Sequence, residues 1–355
     1  MRGWSQILRA CFWSPLVADG PIILPLVLRD AAPHFMLIMT KASSSILDVI
    51  IVGGGPAGLS AALVLGRCRR RAIVFDAGHP RNEASRAMHG YLTRDGISPA
   101  DFLKIGREQL APYDTIELRQ AKVVDVERGD GRFTALVEGG ERISARMILL
   151  ATGIVDELPQ IEGFRQFYGI SAHNCPYCDG WEHRDQPLAV VGGNKEAADL
   201  ALELLLWSKD VVLCTNGAPA CDSAVLDQTE GNGVRIIDTP IARLEGTGSK
   251  LERIQFSDGT EIARSALFFS PGQHQRSHLA AQLGCEFCED DACINCDENA
   301  ATCVPGVYAA GNASRGVQLV IAAAAEGMQA AFAINTALLE ADATRRKVLE
   351  TAQHS

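Results

Sequence analysis

Apolar and polar positions along the chain fall into two strand–turn–helix units separated by strand-rich stretches. Residues 46–52 form an apolar run broken only by Asp48, followed by a glycine turn and an apolar helical stretch over 59–65. A short strand at 72–75 ends on Asp76, and residues 99–111 show the spacing of an amphipathic helix. Residues 122–126, 133–137 and 143–150 predict a β-meander that closes on Ala151-Thr152-Gly153. The second unit has a strand at 188–191, the turn Gly192-Gly193, a helix over 196–206 and a strand at 211–214. Weaker strands are expected at 234–237, 251–256 and 266–269. A last strand at 307–310 leads to a long Ala-rich helix over 319–339, with a polar tail from residue 343. The pattern predicts an α/β fold with two related βαβ-type domains.

Length agrees, since 355 residues at ~150 per domain accommodate two. Apolar residues make up 47% and charged residues 21%, which excludes wholesale disorder. With 33 Lys and Arg against 43 Asp and Glu the net charge is −10, and no basic run offers a grip on a phosphate backbone. Nucleic-acid binding is therefore excluded. Eleven cysteines in a chain far longer than a secreted disulfide scaffold predict reduced thiols in a cytoplasmic protein, with one pair carrying chemistry. Residues 11–29 are largely apolar, but Pro15, Asp19, Pro21 and Pro25 interrupt them, so no membrane span is expected. Residues 1–45 are read as an extension, with 1–38 either disordered or a start assigned ahead of Met39.

Three motifs carry chemistry. In Gly53-x-Gly55-x-x-Gly58 the first glycine permits a tight turn, the second lets the backbone approach a pyrophosphate, and the third allows close helix–strand packing. Pro56 and Ala57 open the helix, whose N-terminal N–H groups face the phosphate, and Asp76 lies where a ribose hydroxyl needs an acceptor. Cys175-Pro176-Tyr177-Cys178-Asp179-Gly180 puts two thiols on one turn, where they can close a reversible disulfide, and Asp179 can move protons for a leaving thiolate. His173 and His183 flank this pair, so a metal site and two inert thiols are the competing readings. Gly306-Val307-Tyr308-Ala309-Ala310-Gly311-Asn312 leads into the last helix. The N-terminus of that helix, aimed at an isoalloxazine, would stabilise negative charge there during reduction.

In this order the motifs resemble the low-molecular-weight thioredoxin reductases, FAD-dependent pyridine nucleotide-disulfide oxidoreductases, over roughly residues 46–340. The Cys-Pro-Tyr-Cys pair, Gly180-Trp181-Glu182, Met88-His89-Gly90-Tyr91-Leu92 and Arg94-Asp95-Gly96 resemble a bacterial branch related to flavin dithiol oxidases. The resemblance implies two Rossmann-like nucleotide-binding domains of three-layer ββα build, the second inserted into the first. An FAD-binding domain would span 46–155 and 273–342, an NAD(P)-like domain carrying the CxxC would span 156–272, and 343–355 would be a tail. Gly53, Gly55, Pro56, Ala57, Gly58 and Asp76 would hold the ADP half of FAD. Gly311 and Asn312 would meet its ribityl-pyrophosphate, and Gln318 would lie near the flavin ring. Cys178 would face the flavin and Cys175 the substrate sulfur, with Asp179 as the acid–base carboxylate. Gly192 and Gly193 would form the second nucleotide turn, and a homodimer is implied.

Three departures bear on function. Asn312 stands where the family has Asp. The family's GGGNTA turn reads Gly192-Gly193-Asn194-Lys195-Glu196-Ala197, and its His-Arg-Arg at the next strand end reads Thr215-Asn216-Gly217. The pyrophosphate glycine and the 2′-phosphate clamp are both missing, so neither NADPH nor NADH is clearly specified. Cys285, Cys288, Cys293 and Cys296 crowd an expected exposed hairpin between Leu283 and Val304. They are read as variation, with a four-thiolate metal site or a regulatory dithiol as alternatives. His89 is read as a loop histidine, with a place along the flavin pocket as the alternative, and Arg69-Arg70-Arg71 as a helix-end cluster needing no ligand. The function expected is FAD-dependent exchange of electrons between Cys175–Cys178 and a thioredoxin-like protein or a small dithiol or disulfide. The alternatives are an O₂-dependent dithiol oxidase that needs no NADPH, and a flavin redox sensor or metal-binding interaction protein.

Overall fold

The first apolar run becomes strand β1 (Leu47–Val52), because Val49 and Ile51 face one side of a sheet, Ile50 and Val52 face the other, and both sides are covered. The computed structural model describes residues 46–288, 293–314 and 316–353, so the extension expected at 1–45 falls outside the described residues. β1 feeds helix α1 (Pro56–Arg67) and returns as β2 (Ala72–Asp76), parallel to it. Helix α2 (Pro99–Glu108) starts at Ser98, whose Oγ accepts the Asp101 N–H at 3.1 Å. Strand β3 (Ile116–Gln120) is too polar to be signalled by its pattern and adds at the sheet edge beside β2. β4 (Val123–Gly129), β5 (Arg132–Val137) and β6 (Arg142–Leu150) form the expected meander, and β6 runs on beside β1.

The chain leaves this sheet through β7 (Ile154–Asp156) and, after α3 (Phe164–Phe167), enters a second sheet at β8 (Ala172–His173). The single turn α4 (Pro176–Asp179) carries the cysteine pair. Next come β9 (Leu188–Val191), α5 (Lys195–Leu204), β10 (Val211–Cys214), α6 (Ser223–Gly231) and β11 (Arg235–Ile237). An antiparallel trio, β12 (Ile241–Thr247), β13 (Lys250–Phe256) and β14 (Glu261–Ala263), precedes β15 (Ala266–Phe269). β15 completes an all-parallel sheet in the order β11-β10-β9-β15-β8. β16 (Gln273–Gln275) pairs with β7, and after α7 (Leu279–Gln282) the strand β17 (Val307–Ala309) rejoins the first sheet against the end of β6.

Helix α8 (Val320–Gln353) continues through the stretch expected as a polar tail, since Ala341, Ala343, Arg345 and Arg346 are strong helix formers. Asp342 ties it down by ion pairs to Arg70 at 2.9 Å and Arg146 at 2.7 Å. Arg70, which the sequence presents as a helix-end charge, also donates to Asn335 at 2.8 Å. It anchors α8. Small residues let α1 and α8 approach closely over the sheet: Ala61, Ala62, Ala330 and Ala331 are all fully buried. At Gly327 a Cβ would lie 2.0 Å from the Ala57 carbonyl oxygen. Gly327→Ala is expected to destabilise the protein by about 1–3 kcal/mol through overpacking. Gly231→Ala, where a Cβ meets nothing within 4 Å, is expected to leave the denaturant midpoint nearly unchanged.

Candidate functional site

The C-terminal ends of the strands in the first sheet, the CxxC turn and the segment leading into α8 face a common cavity of 1580 Å³. Gly53, Gly55, Pro56 and Ala57 reach it from the first glycine turn, Asp76 from the end of β2, and Gly311, Asn312 and Gln318 from the segment before α8. Cys175, Cys178 and Asp179 face the same space. Gly58, Gly192 and Gly193 do not line it. The three turn glycines are separated by their surroundings. A Cβ at Gly53 would lie 2.1 Å from the Ala151 oxygen and one at Gly58 would lie 1.9 Å from the Gly53 oxygen, whereas one at Gly55 meets nothing within 4 Å. The first and third serve the turn and the packing; the second leaves room for a ligand.

Gly55 is the N-cap of α1, with no side-chain cap and no acid in the first turn among the described residues. The N–H groups at this helix end are thus left for a ligand, and a negatively charged one is favoured. Asp76 pairs with Arg107 at 2.6 Å and accepts the Gly78 N–H at 2.9 Å, which leaves lone pairs for a further donor. In the last turn the Gly311 N–H donates to Glu326 Oε2 at 2.9 Å. Burial raises the Glu326 pKa. Gln318 is held by Arg81 at 2.7 Å and by Gln273 at 2.7 and 3.0 Å.

Behind Gln318 lies a polar hub that no local motif announces. Asp156, 3% exposed, accepts from Arg81 at 2.6 and 2.7 Å, Gln273 at 3.0 Å, Tyr168 at 3.2 Å and Asn174 at 3.3 Å. Burial and then the Asp156 charge push the Tyr168 phenol up to about 12. His89, expected as a surface loop residue, lines the cavity and lies 3.4 Å from Asp95 and 3.6 Å from Glu182.

Cys175 and Cys178 are joined as a disulfide across α4, and the Cys178 N–H points to Cys175 Sγ at 3.1 Å. His173 Nδ1 lies 3.3 Å from Asp179 Oδ2, and His173 Nε2 lies 3.0 Å from His183 Nε2. The two histidines therefore engage each other and Asp179, and among the described residues no three His, Cys, Asp or Glu side chains converge as metal ligands. Burial, reinforced by His173, holds the His183 imidazole down at about 4. Between pH 4 and 6.5 the unfolded chain then binds a proton that the folded chain refuses, so stability rises with pH across this window. Thermal unfolding of His183→Gln is expected to lose this part of the pH dependence relative to the parent protein.

In the second glycine turn the chain itself engages two of the groups. Asn194 caps α5 by accepting the Ala197 N–H at 3.2 Å, and the Gly193 carbonyl accepts the Ala220 N–H at 2.7 Å. Lys195 is paired with Asp199 at 2.5 Å. In the cysteine-rich stretch, read as variation with a metal site or a dithiol as alternatives, Cys288 and Cys293 are joined as a disulfide. Burial raises the Cys285 thiol and pushes Cys296 up to about 12, which disfavours the thiolates a metal needs. The described part of this stretch is not wholly exposed, since Ile294 is fully buried and its N–H reaches the Ala313 oxygen at 2.8 Å.

A bare helix N-terminus after a GxGxxG turn, in one cavity with a disulfide and a carboxylate, defines a dinucleotide-dependent disulfide oxidoreductase. Residues 47–327 match the profile of the pyridine nucleotide-disulphide oxidoreductases, and the chain belongs to that family, as an FAD-dependent enzyme of the thioredoxin reductase type. It is 32% identical over 299 residues to a probable thioredoxin reductase of Arthroderma benhamiae, covering 75% of this chain and 74% of that one. The crystal structure of a putative thioredoxin reductase from Bacillus anthracis superposes with a TM-score of 0.79 at 34% identity, covering 83% of this chain and 99% of the other. That of HlmI gives 0.84 at 37%, covering 87% and 98%.

Proposed function

We propose that the cavity holds FAD, with its pyrophosphate at the α1 N-terminus and its redox-active ring toward the CxxC turn. Residues 46–155 and 273–342 would form the domain that binds it, and 156–272 the domain that carries Cys175 and Cys178. FAD supplies two-electron chemistry when bound. Gly55 leaves the backbone open to the pyrophosphate, Asp76 accepts from the ribose, and Gln318, fixed by Arg81 and Gln273, orients the ring. Cys175 exchanges sulfur bonds with a thioredoxin-like protein or a small dithiol or disulfide. Cys178 closes and opens the internal bond, and Asp179 gives or takes the accompanying proton. Among the described residues no helix is long and apolar enough to cross a membrane, and we place the enzyme, as a homodimer, in the cytoplasm.

The observation that carries this reading is the shared cavity of the Gly53–Gly58 turn and the Cys175–Cys178 disulfide. A second reading concerns direction. The self-capped turn at Asn194 favours an enzyme that draws electrons from a dithiol and passes them to O₂, giving a disulfide and H₂O₂, over one fed by NADPH or NADH. Anaerobic titration of the flavin band at about 450 nm separates the two. Rapid bleaching by NADPH supports the reductase and removes the oxidase; bleaching by dithiol alone does the reverse. No bleaching by any of them would overturn both. Asn194→Gly is expected to free one N–H, worth about 1 kcal/mol or roughly fivefold in affinity, for NADPH and NADH alike.

A further inference from the structure

We propose that His173 and His183 form a proton relay that loads and unloads Asp179, making them positioning residues for the sulfur chemistry of Cys175 and Cys178. This rests on the acid–base role of Asp179 given above. β8 sets His173 in the second sheet opposite Phe268 of β15, with its side chain 4% exposed. The turn after α4 brings His183 against the same Phe268, the two imidazole centroids lying 4.9 Å apart. A carboxylate only accepts, so the relay assigns the His173 proton to Nδ1, which lies 3.3 Å from Asp179 Oδ2. In that tautomer His173 Nε2 accepts, and the 3.0 Å contact takes its proton from His183 Nε2. Nε2 of a buried histidine is thus hydrogen-bonded to His183 while its Nδ1 lies 3.3 Å from the Asp179 carboxylate, so the relay runs from His183 toward Asp179. A ring needed only to fill space beside Phe268 would require neither polar approach. His183 is half-buried and marks the solvent end, and its depressed pKa keeps it neutral, as a relay by tautomer exchange requires. The charged or titratable groups bearing on it are His173 and Asp179, while β15 contributes apolar Phe268.

The proton balance closes. One proton enters at His183 Nδ1 from solvent while another passes from His183 Nε2 to His173 Nε2, and His173 Nδ1 gives its own to Asp179. Both rings end neutral in the other tautomer, and Asp179 has gained one proton. When a substrate dithiol reduces the pair, the substrate sulfurs join, the Cys175–Cys178 bond breaks, and two electrons move to the cysteines. The substrate loses two protons and the cysteines take up two; Asp179 delivers one to the departing thiolate and the relay refills it. With a disulfide substrate each step reverses.

The test follows the opening of the Cys175–Cys178 bond by dithiothreitol in the FAD-loaded protein. Rapid quenching, alkylation and mass spectrometry of the peptide that contains both cysteines give a readout independent of turnover. Asp179→Asn, His173→Asn and His183→Ala are compared with the parent protein. His173→Asn retains a donor toward Asp179 but passes no proton on. Each variant is expected to slow the opening at least about tenfold, toward the scale of general acid–base catalysis. Added imidazole is expected to restore most of the rate in His183→Ala. A parent-like rate in His173→Asn and His183→Ala, with Asp179→Asn slow, would overturn the relay and leave Asp179 its role. A parent-like rate in Asp179→Asn would overturn that role itself. Slowing of His183→Ala that imidazole does not repair would reduce the ring to packing and also overturn the relay. Because His183 is half-buried, its variant decides the matter even where His173→Asn does not fold.

Discussion

Cys178→Ser is expected to lower turnover of any dithiol or disulfide substrate by on the order of a thousandfold or more, the scale on which loss of a nucleophile acts. A serine hydroxyl is close to a thiol in size, yet it neither closes a disulfide nor leaves as a stable anion near neutral pH. The turn would survive the change, because α4 is held by backbone bonds, including Gly180 N–H to the Pro176 oxygen at 2.8 Å. Cys175→Ser is expected to be equally inactive, since each partner is useless alone. The measurement is steady-state turnover at matched flavin absorbance, so that a loss of cofactor is told apart from a loss of chemistry. The Cys288–Cys293 disulfide provides the contrast. It lies outside the cavity, so Cys293→Ser is expected to leave turnover within about twofold and to act on stability instead. Inactivity of Cys293→Ser with a stable fold and full flavin would show that the working pair had been misassigned.

Asp156→Ala is expected to be the most destabilising single change, at about 3–5 kcal/mol. The carboxylate is almost wholly buried and accepts five bonds, so its removal strands the Arg81 guanidinium and leaves Tyr168, Asn174 and Gln273 short of an acceptor. The residues it gathers come from the loop after β2, from β16 and from the region between β7 and α4, so one side chain ties the two sheets' connections beside the cavity. Urea denaturation checks the magnitude. Because the penalty arises from a stranded charge, Arg81→Ala added to Asp156→Ala is expected to restore part of the loss. A double variant whose cost equals the sum of the two singles would sink the account.

How much of this was legible in the chain depends on how far apart the interacting residues lie. The Gly53–Gly58 turn, the CxxC with Asp179 and the strands Leu188–Val191 and Val211–Cys214 are written in a few consecutive residues, because a turn or a run of β-branched residues needs only its neighbours. The polar edge strand Ile116–Gln120 was not legible, since its stability comes from the ladder it makes with β2. Nor was the helical end of α8, whose polar look hides good helix formers and which the Asp342 ion pairs anchor to distant Arg70 and Arg146. At the site the sequence pointed to His173 and His183 only as residues flanking a dithiol. Asp156, Arg81, Gln273 and Glu326 had no local signal at all, for each is a lone polar residue whose partners sit elsewhere in the chain.

The amino-acid order by itself determined the class of the protein: two strand–glycine–helix units, a dithiol with an acid beside it, and a second nucleotide turn lacking the usual glycine and cations. Only the tertiary structure decided what those pieces do to one another. It left the helix after Gly55 uncapped and capped the one after Asn194, and it closed Cys288 on Cys293 while burying Cys285 and Cys296. It also lined up His183, His173 and Asp179. The physical reason is common to all three. Whether a donor, a thiol or an imidazole is available for chemistry depends on what it already touches and how far it is from water, and both are properties of packing between distant segments.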